Sequence, residues 1–127
     1  MEDIRAFFES YRARWEATRD GKVIAKFYHA PSLTLRGDGS FECFQTTDDV
    51  ARFFHATADT YHRQGLNRIA FKDFSASPLG ARSAFATMTW QAFKADGSLA
   101  REWRQSYNLV RFGDAWEIVL STFYVGA

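Results

Sequence analysis

The last third of the chain alternates between apolar and polar residues in three long runs between Ala81 and Val125. The runs are separated by Asp96-Gly97 and Gly113-Asp114. Asp-Gly between alternating runs is a strong β-hairpin signal, because a type I′ turn needs positive φ at both central residues. The pattern therefore predicts three antiparallel strands joined by two two-residue turns.

Two-residue turns determine which residues face each other across neighbouring strands, and facing residues share one side of the sheet. The expected pairs are Trp90–Trp103, Met88–Gln105, Leu109–Ile118, Tyr107–Leu120 and Gln105–Thr122. One side is then apolar enough to need a cover. Its expected members are Ala84, Ala86, Met88, Trp90, Trp103, Gln105, Tyr107, Leu109, Trp116, Ile118, Leu120, Thr122 and Tyr124.

Three upstream segments have the apolar spacing of amphipathic helices and can supply that cover. We expect a helix from Asp3 to about Arg19, a short helix capped by Asp20 and ended by Pro31, and a third helix from residues 46–49 to about Gln64. The apolar stripe of the first helix is Ile4, Phe7, Phe8, Tyr11, Trp15 and Thr18. The stripe of the second helix is Val23, Ile24, Phe27 and Tyr28. The stripe of the third helix is Val50, Phe53, Phe54, Thr57 and Tyr61.

Shorter alternating segments complete the chain. A hairpin of Ser32–Arg36 and Phe41–Phe44 separates the second and third helices, and a strand at Asn67–Ser77 precedes the long runs, with a bulge at Lys72-Asp73. Helices gathered before an antiparallel sheet predict an α+β fold with the helices on one face. We expect one domain spanning residues 1–127.

Composition limits the classes of function. Aromatic residues make up 17% of the 127 residues, which suits a ligand cavity or a subunit interface. A net charge of +1 gives no electrostatic case for binding nucleic acid or an anionic membrane. No apolar run approaches the roughly 20 residues of a membrane span, and the amino terminus lacks a basic signal-peptide region. We therefore expect a cytoplasmic protein.

The histidines and acids form no motif typical of a metal site or a catalytic dyad. We therefore predict no metal and no cofactor. Two residues stay open as general acids or bases. His29, near the end of the second helix, could border a cavity, and Asp73 could be re-aimed by the predicted bulge.

Two segments resemble the nuclear transport factor 2-like superfamily, whose fold is also called SnoaL-like or cystatin-like. They are FYHAPSLTLRGDG at Phe27–Gly39 and GDAWEIVLSTFYV at Gly113–Val125. The resemblance implies three helices packed on a curved, mainly antiparallel sheet that forms a cone with an internal cavity. It also implies that the outer sheet face often forms a dimer. Members include ketosteroid isomerase, dehydratases, cyclases and non-catalytic binding modules.

The isomerase pattern is incomplete in this chain. Tyr11 matches its tyrosine, but Arg36 falls near the carboxylate position, and an arginine accepts no proton at neutral pH. The strand position of its protonated acid holds none, because the nearby inward residues are Trp103, Gln105 and Tyr107. The resemblance therefore does not imply isomerase activity for this chain.

Gln105 is the most informative polar residue of the inward face. Burying its amide without partners is costly, so either Tyr11, Tyr61 or Thr122 bonds it internally, or it points into a ligand-accessible cavity. The candidate pocket residues are Tyr11, Trp15, Tyr28, Arg36, Phe54, Tyr61, Met88, Trp90, Trp103, Gln105, Tyr107 and Thr122.

Three functions fit these observations. The first is a domain that binds a small apolar molecule, with Arg36 able to hold an anionic group at the cavity mouth. The second is a lyase, isomerase or cyclase acting on a small apolar or polyketide-like substrate through His29 or Asp73. The third is a structural dimerisation module with a filled core.

The outward sheet face also predicts a homodimer. It should carry Phe85, Thr87, Thr89, Gln91, Phe93, Arg104, Ser106, Asn108, Val110, Phe112, Val119, Ser121, Phe123 and Val125. A solvated sheet face normally alternates to polar and charged residues, and so apolar a face suits a two-fold contact.

Overall fold

The computed structural model describes residues 1–126, which form three helices and one six-stranded sheet. Ala127, the last residue of the predicted domain, lies outside the described residues. The helices are α1 (Glu2–Ala17), α2 (Gly21–Ala25) and α3 (Thr47–Arg63). The strands are β1 (Tyr28–Leu35), β2 (Phe41–Phe44), β3 (Leu66–Pro78), β4 (Ser83–Lys94), β5 (Leu99–Phe112) and β6 (Ala115–Phe123).

The strands lie in the order β2-β1-β6-β5-β4-β3. Neighbouring strands are antiparallel except β1 and β6, which run parallel. Apolar residues of the helices and of one sheet face form a single buried core. The predicted α+β fold is therefore confirmed, with the sheet open and β2 and β3 at its edges. No helix within residues 1–126 is long and apolar enough to cross a membrane.

Helix α3 begins and ends where the sequence predicts. The Thr46 hydroxyl accepts a hydrogen bond from the Asp49 amide at 3.1 Å, and the Asp49 carboxylate accepts one from the Thr46 amide at 3.2 Å. This reciprocal capping box satisfies two backbone donors that a helix start leaves unpaired. Gly65 follows the helix with φ +75°, the left-handed conformation that favours glycine after a helix.

The predicted end of the second helix is wrong. Asp20 caps α2 through the Lys22 amide at 2.9 Å, but α2 ends at Ala25, and Tyr28 already begins β1. Pro31 lies inside β1, where the register with β6 shifts between Tyr28 and Leu33. A proline lacks the N–H that a regular ladder needs, and an irregular stretch tolerates that loss.

The β4–β5 connection is longer than the predicted two-residue turn. Residues 95–98 form the loop, in which Lys94 N–H donates to the Ser98 carbonyl at 2.9 Å and Gly97 has φ +87°. Phe93 pairs with Leu99, and the register shift between Ala92 and Phe93 restores the pairing that a two-residue turn would give. The predicted pairs Trp90–Trp103 and Met88–Gln105 are therefore confirmed.

The β5–β6 pairing follows the prediction only near its turn. Leu109 pairs with Ile118 as expected, but Asn108 pairs with Leu120, so Val119 is an extra residue in β6. A bulge of one residue sends every later side chain to the opposite face. The predicted pairs Tyr107–Leu120 and Gln105–Thr122 are wrong, because Tyr107 pairs with Ser121 and Gln105 pairs with Phe123.

Because of the bulge, the predicted membership of the two sheet faces is wrong for the end of β6. Ser121 and Phe123, expected outside, lie on the helix side, where the Ser121 hydroxyl is 3.1 Å from that of Thr34. Thr122 and Tyr124, expected inside, lie on the outer face, the side of the sheet away from the helices. There the Tyr124 hydroxyl is 2.8 Å from that of Ser106, which pairs with Thr122.

The packing of α2 on α3 depends on a glycine. A methyl group on Gly21 would overlap the Ala51 carbonyl oxygen and come within 2.5 Å of the His55 amide nitrogen. Both atoms belong to the backbone of α3, so neither can turn aside as a side chain would. Gly37, in the β1–β2 turn, has nothing within 4 Å of the same position.

We predict that Gly21→Ala lowers the free energy of unfolding by about 2–3 kcal/mol, the upper range for overpacking a core. Gly37→Ala, the matched control, should change it by less than about 0.5 kcal/mol. Urea denaturation followed by circular dichroism measures both. Equal effects of the two substitutions would show that the α2–α3 contact is looser than described.

Candidate functional site

A cavity of about 90 Å³ lies between α1, α3 and the inward face of the sheet. Every strand except β2 and each of the two long helices contributes to its wall. The lining residues are Tyr11, Trp15, Tyr28, Thr34, Phe53, Phe54, Thr57, Tyr61, Ile69, Trp90, Trp103, Gln105, Tyr107, Ser121 and Phe123. Aromatic rings dominate, and the remaining polar groups are hydroxyls and one amide.

Most of the candidate pocket residues come together in this wall. Those present are Tyr11, Trp15, Tyr28, Phe54, Tyr61, Trp90, Trp103, Gln105 and Tyr107. They reach it from α1, α3 and three strands, because the helix stripes and the inward strand residues face each other as the periodicity predicts.

Three candidates lie elsewhere. Met88 faces inward opposite Gln105 but is fully buried in the core below the cavity wall. Arg36 follows β1, pairs with Glu42 at 3.1 Å, and has its guanidinium 5.5 Å from the Phe53 ring. Thr122 lies on the outer face because of the β6 bulge.

Several lining residues were absent from the candidate set: Thr34, Phe53, Thr57, Ile69, Ser121 and Phe123. Phe53 and Thr57 belong to the apolar stripe that predicts α3, so the helical spacing could have found them. Ile69 follows the apolar alternation of its strand. Thr34 does not, because it is buried while its apolar neighbour Leu33 is exposed. Ser121 and Phe123 could not be found without the position of the bulge.

Hydroxyl groups collect at the buried end of the cavity. The Tyr11 and Tyr28 hydroxyls are 2.6 Å apart, and the Trp90 indole N–H donates to the Tyr107 hydroxyl at 2.9 Å. Burial raises the pKa of Tyr11 to about 12, and it raises the pKa values of Tyr28 and Tyr107 as well. All three tyrosines are therefore neutral at physiological pH.

Half-exposed rings surround the opposite, outer end. Tyr61, Trp103 and Phe123 are each partly accessible. The Arg101 guanidinium lies 5.4 Å from the ring centres of both Tyr61 and Trp103, and it donates to the Tyr61 hydroxyl at 3.3 Å. Arg101, which the sequence analysis did not single out, is thus the cation beside these rings.

An ion pair on α1 fixes the β3 side of the cavity. Arg12 and Glu16 are paired at 2.8 Å, and the Glu16 carboxylate accepts a hydrogen bond from the Ile69 backbone amide at 2.7 Å. Strand β3 is at the sheet edge, so this amide has no partner strand on that side. The contact holds Ile69, a lining residue, against the helix.

The two residues left open as acids or bases do not reach the cavity. His29 is on β1 with its ring stacked 4.4 Å from that of Phe112, and its Nδ1 lies 3.1 Å from the Glu117 carboxylate. Asp73 has φ +53° in the β3 bulge and is exposed; its carbonyl accepts a hydrogen bond from Arg104 at 3.0 Å. The predicted bulge is confirmed, but it does not turn the Asp73 carboxylate inward.

The wall of the cavity carries no carboxylate, imidazole, ammonium or guanidinium group among the described residues. Nor do those residues contain a cluster of three or more side chains suited to hold a metal ion. General acid–base catalysis works best when the pKa of the catalytic group is near the working pH. Tyrosines with raised pKa values stay protonated near neutral pH, so they do not accept a proton there.

The tyrosine cluster predicts a loss of stability at high pH. Unfolded Tyr11 would lose its proton near pH 10, whereas folded Tyr11 keeps it to about pH 12. Between these values the folded state binds more protons, so stability falls as pH rises. We expect Tyr11→Phe to reduce this fall by about 1 kcal/mol per pH unit, measured by urea denaturation from pH 9.5 to 11.5. Identical slopes for the two proteins would show that Tyr11 ionises normally in the folded state.

Comparison with solved structures finds the same fold in bacterial proteins. A cystatin-like domain of unknown function from Nostoc punctiforme has a TM-score of 0.79 at 15% identity, covering 99% of this chain and 76% of that one. An NTF2-like protein of unknown function from Shewanella oneidensis gives 0.76 at 13% identity, covering 98% of each chain.

A third similar structure, from Xanthomonas campestris, is described as a putative calcium/calmodulin dependent protein kinase II association domain. It has a TM-score of 0.71 at 14% identity, covering 96% of this chain and 86% of that one. At these identities the likeness shows the fold alone. A sequence search of curated proteins gives no match.

A family model described as "NTF2-like protein (DUF6841)" matches residues 2–124, nearly the whole chain. The match agrees with the α+β fold of the structure. The chain belongs to this NTF2-like family.

Proposed function

We propose that this protein is a binding domain for a small, largely apolar molecule, which occupies the aromatic cavity. One observation carries the proposal: a space of about 90 Å³ is walled by aromatic rings with a few neutral polar groups among them. Small-molecule sites are typically apolar concavities with a small number of placed polar groups that orient the ligand.

The volume of the cavity limits the ligand. About 90 Å³ is below the roughly 150 Å³ of an engineered cavity that holds benzene, and below the usual range for drug-sized ligands. A single six-membered ring would therefore displace or extend past the half-exposed rings of Tyr61, Trp103 and Phe123. Those rings are the more exposed part of the wall, so we expect the cavity to enlarge at its outer end.

The two other functions have less support. A lyase, isomerase or cyclase of the expected kind needs an inward acid or base, and neither His29 nor Asp73 lines the cavity. A structural module with a filled core would have no such space between its helices and sheet. Arg36 would not hold an anionic group at the mouth, because its guanidinium is paired with Glu42.

The tryptophans provide a direct test of binding. Of the four tryptophans in the chain, Trp15, Trp90 and Trp103 line the cavity, whereas Trp116 donates to Asp3 elsewhere. We expect benzene, titrated into the ¹⁵N-labelled protein, to shift the three cavity indole N–H signals and to leave that of Trp116 in place. Uniform or absent shifts would contradict a specific site in the cavity.

Two threonines of α3 give a matched pair of variants. The hydroxyls of Thr57 and Thr60 both donate to the backbone carbonyl four residues earlier, at 3.0 and 2.9 Å, but only Thr57 lines the cavity. We expect Thr57→Phe to fill the cavity and weaken benzene binding at least about tenfold, equivalent to roughly 1.4 kcal/mol. Thr60→Phe should bind benzene like the unmodified protein; equal weakening in both variants would place the site elsewhere.

We also propose that two copies of the chain associate through the outer face. Exposed apolar side chains there include Leu33, Phe85, Phe112 and Tyr124. Beneath them, the buried Thr87 and Ser106 hydroxyls are 2.9 Å apart, and the Ser106 hydroxyl is 2.8 Å from that of Tyr124. Apolar rings mixed with small polar groups suit a two-fold contact, and the similar Xanthomonas structure is described as an association domain.

Sedimentation at low micromolar concentration tests the association. We expect twice the 14.6 kDa mass of one chain for the unmodified protein and a monomer for Phe85→Arg. Leu99→Arg is the control, because Leu99 is similarly exposed but lies at the other end of the β4–β5 hairpin. A monomeric unmodified protein would refute the association. Phe123, which the sequence predicted on this face, lies in the cavity wall, so a substitution of Phe123 would not test the association.

A further inference from the structure

The side chain of Gln105 has a fixed orientation in the cavity wall. The Trp103 indole N–H, which can only donate, lies 3.0 Å from the Gln105 Oε1. The oxygen must therefore face the indole, and the amide nitrogen, Nε2, must point away from it. Gln105 exposes only 4% of its surface, and its side chain lines the cavity.

Within residues 1–126, the Gln105 side chain makes one hydrogen bond, and its oxygen makes it. The two N–H groups of the amide nitrogen therefore have no acceptor among these residues. The nitrogen is not sealed in the core either. Among residues 1–126, one side-chain nitrogen or oxygen is both fully enclosed and without a hydrogen-bond partner. That atom is the Ser32 hydroxyl oxygen, not the Gln105 nitrogen. The amide nitrogen therefore keeps accessible surface, and because Gln105 lines the cavity, an occupant of that space is its available partner.

A second donor lies two residues along the same strand. The Tyr107 hydroxyl accepts a hydrogen bond from Trp90, so its own proton can be donated. Tyr107 also lines the cavity and is 2% exposed. The wall thus offers an occupant two donors, the Gln105 amide and the Tyr107 hydroxyl. The described wall carries no charged group, which disfavours an ion.

We propose that the cavity selects neutral molecules that carry a carbonyl oxygen, such as a small ketone, aldehyde or ester, and that Gln105 Nε2 donates to that oxygen. This inference rests on the proposed binding function and narrows its ligand class. An apolar molecule of the same shape without the oxygen would leave the buried amide unpaired, which carries a penalty.

Cyclopentanone and methylenecyclopentane provide the comparison, since they differ in an oxygen and a CH₂ group at one position. Each is titrated at millimolar concentration into the ¹⁵N-labelled full chain while the Trp15, Trp90 and Trp103 indole signals are followed. In the unmodified protein, cyclopentanone is expected to bind about tenfold more tightly. Equal affinities, or tighter binding of the hydrocarbon, would overturn the carbonyl preference.

Two glutamine variants assign the preference to a residue. Gln105→Leu is expected to bind both probes with similar affinity, because it keeps the apolar wall and removes the donor. Gln91→Leu is the matched control: Gln91 is on the neighbouring strand, donates to Glu102 at 2.8 Å and does not line the cavity. It should retain the tenfold preference. A preference that survives in Gln105→Leu would overturn the role of Gln105.

The outcomes separate this inference from the binding function. If benzene and methylenecyclopentane shift the cavity indoles but cyclopentanone has no advantage, the cavity binds ligands without the proposed selection. If none of the three probes shifts them, the binding function fails too. Should Gln105→Leu not fold, Gln105→Met removes the donor with a longer flexible side chain, and the comparison in the unmodified protein still decides.

Discussion

The single extra residue in β6 determines which side chains the last strand gives to each face of the sheet. Leu109 and Ile118 still pair as a two-residue turn requires, but beyond Val119 the register has moved by one. Ser121 and Phe123 consequently complete the cavity wall, and Thr122 and Tyr124 join the outer face. Without the bulge, Gln105 would face Thr122 instead of Phe123. The composition of both proposed surfaces depends on this shift.

Much of the fold follows from the sequence because strong local signals agree with each other. The Thr46–Asp49 capping box, Gly65 and the apolar stripe fix α3, and the alternation around Trp90 and Trp103 fixes the centre of the sheet. The β6 bulge could not be predicted because Ile118-Val119-Leu120 is apolar in both phases of the alternation. A period of two cannot locate one extra residue in such a run. The end of α2 was predicted wrongly for a similar reason, since Phe27 and Tyr28 fit a helix stripe and a strand start equally well.

The site was partly predictable on the same grounds. Helical and strand periodicity identify side chains that face inward, so Tyr11, Trp15 and Tyr107 could be placed beside one space. Periodicity does not say how far a side chain reaches: Met88 faces the same way as Gln105 yet is covered by its neighbours. The wall that results contains hydroxyls and an amide instead of an acid or imidazole. The chemistry we propose for it is recognition by donated hydrogen bonds, with a rim of half-exposed rings where a ligand would enter.

The proposed role of Gln105 can be tested through the surroundings of its amide nitrogen. A crystal structure at a resolution that places individual water molecules would show them. We expect an oxygen of a cavity occupant about 2.7–3.2 Å from Nε2, with the Gln105 Oε1 still facing the Trp103 indole. An amide nitrogen bonded instead to an oxygen of the protein, with the surrounding rings closed over the space, would contradict it.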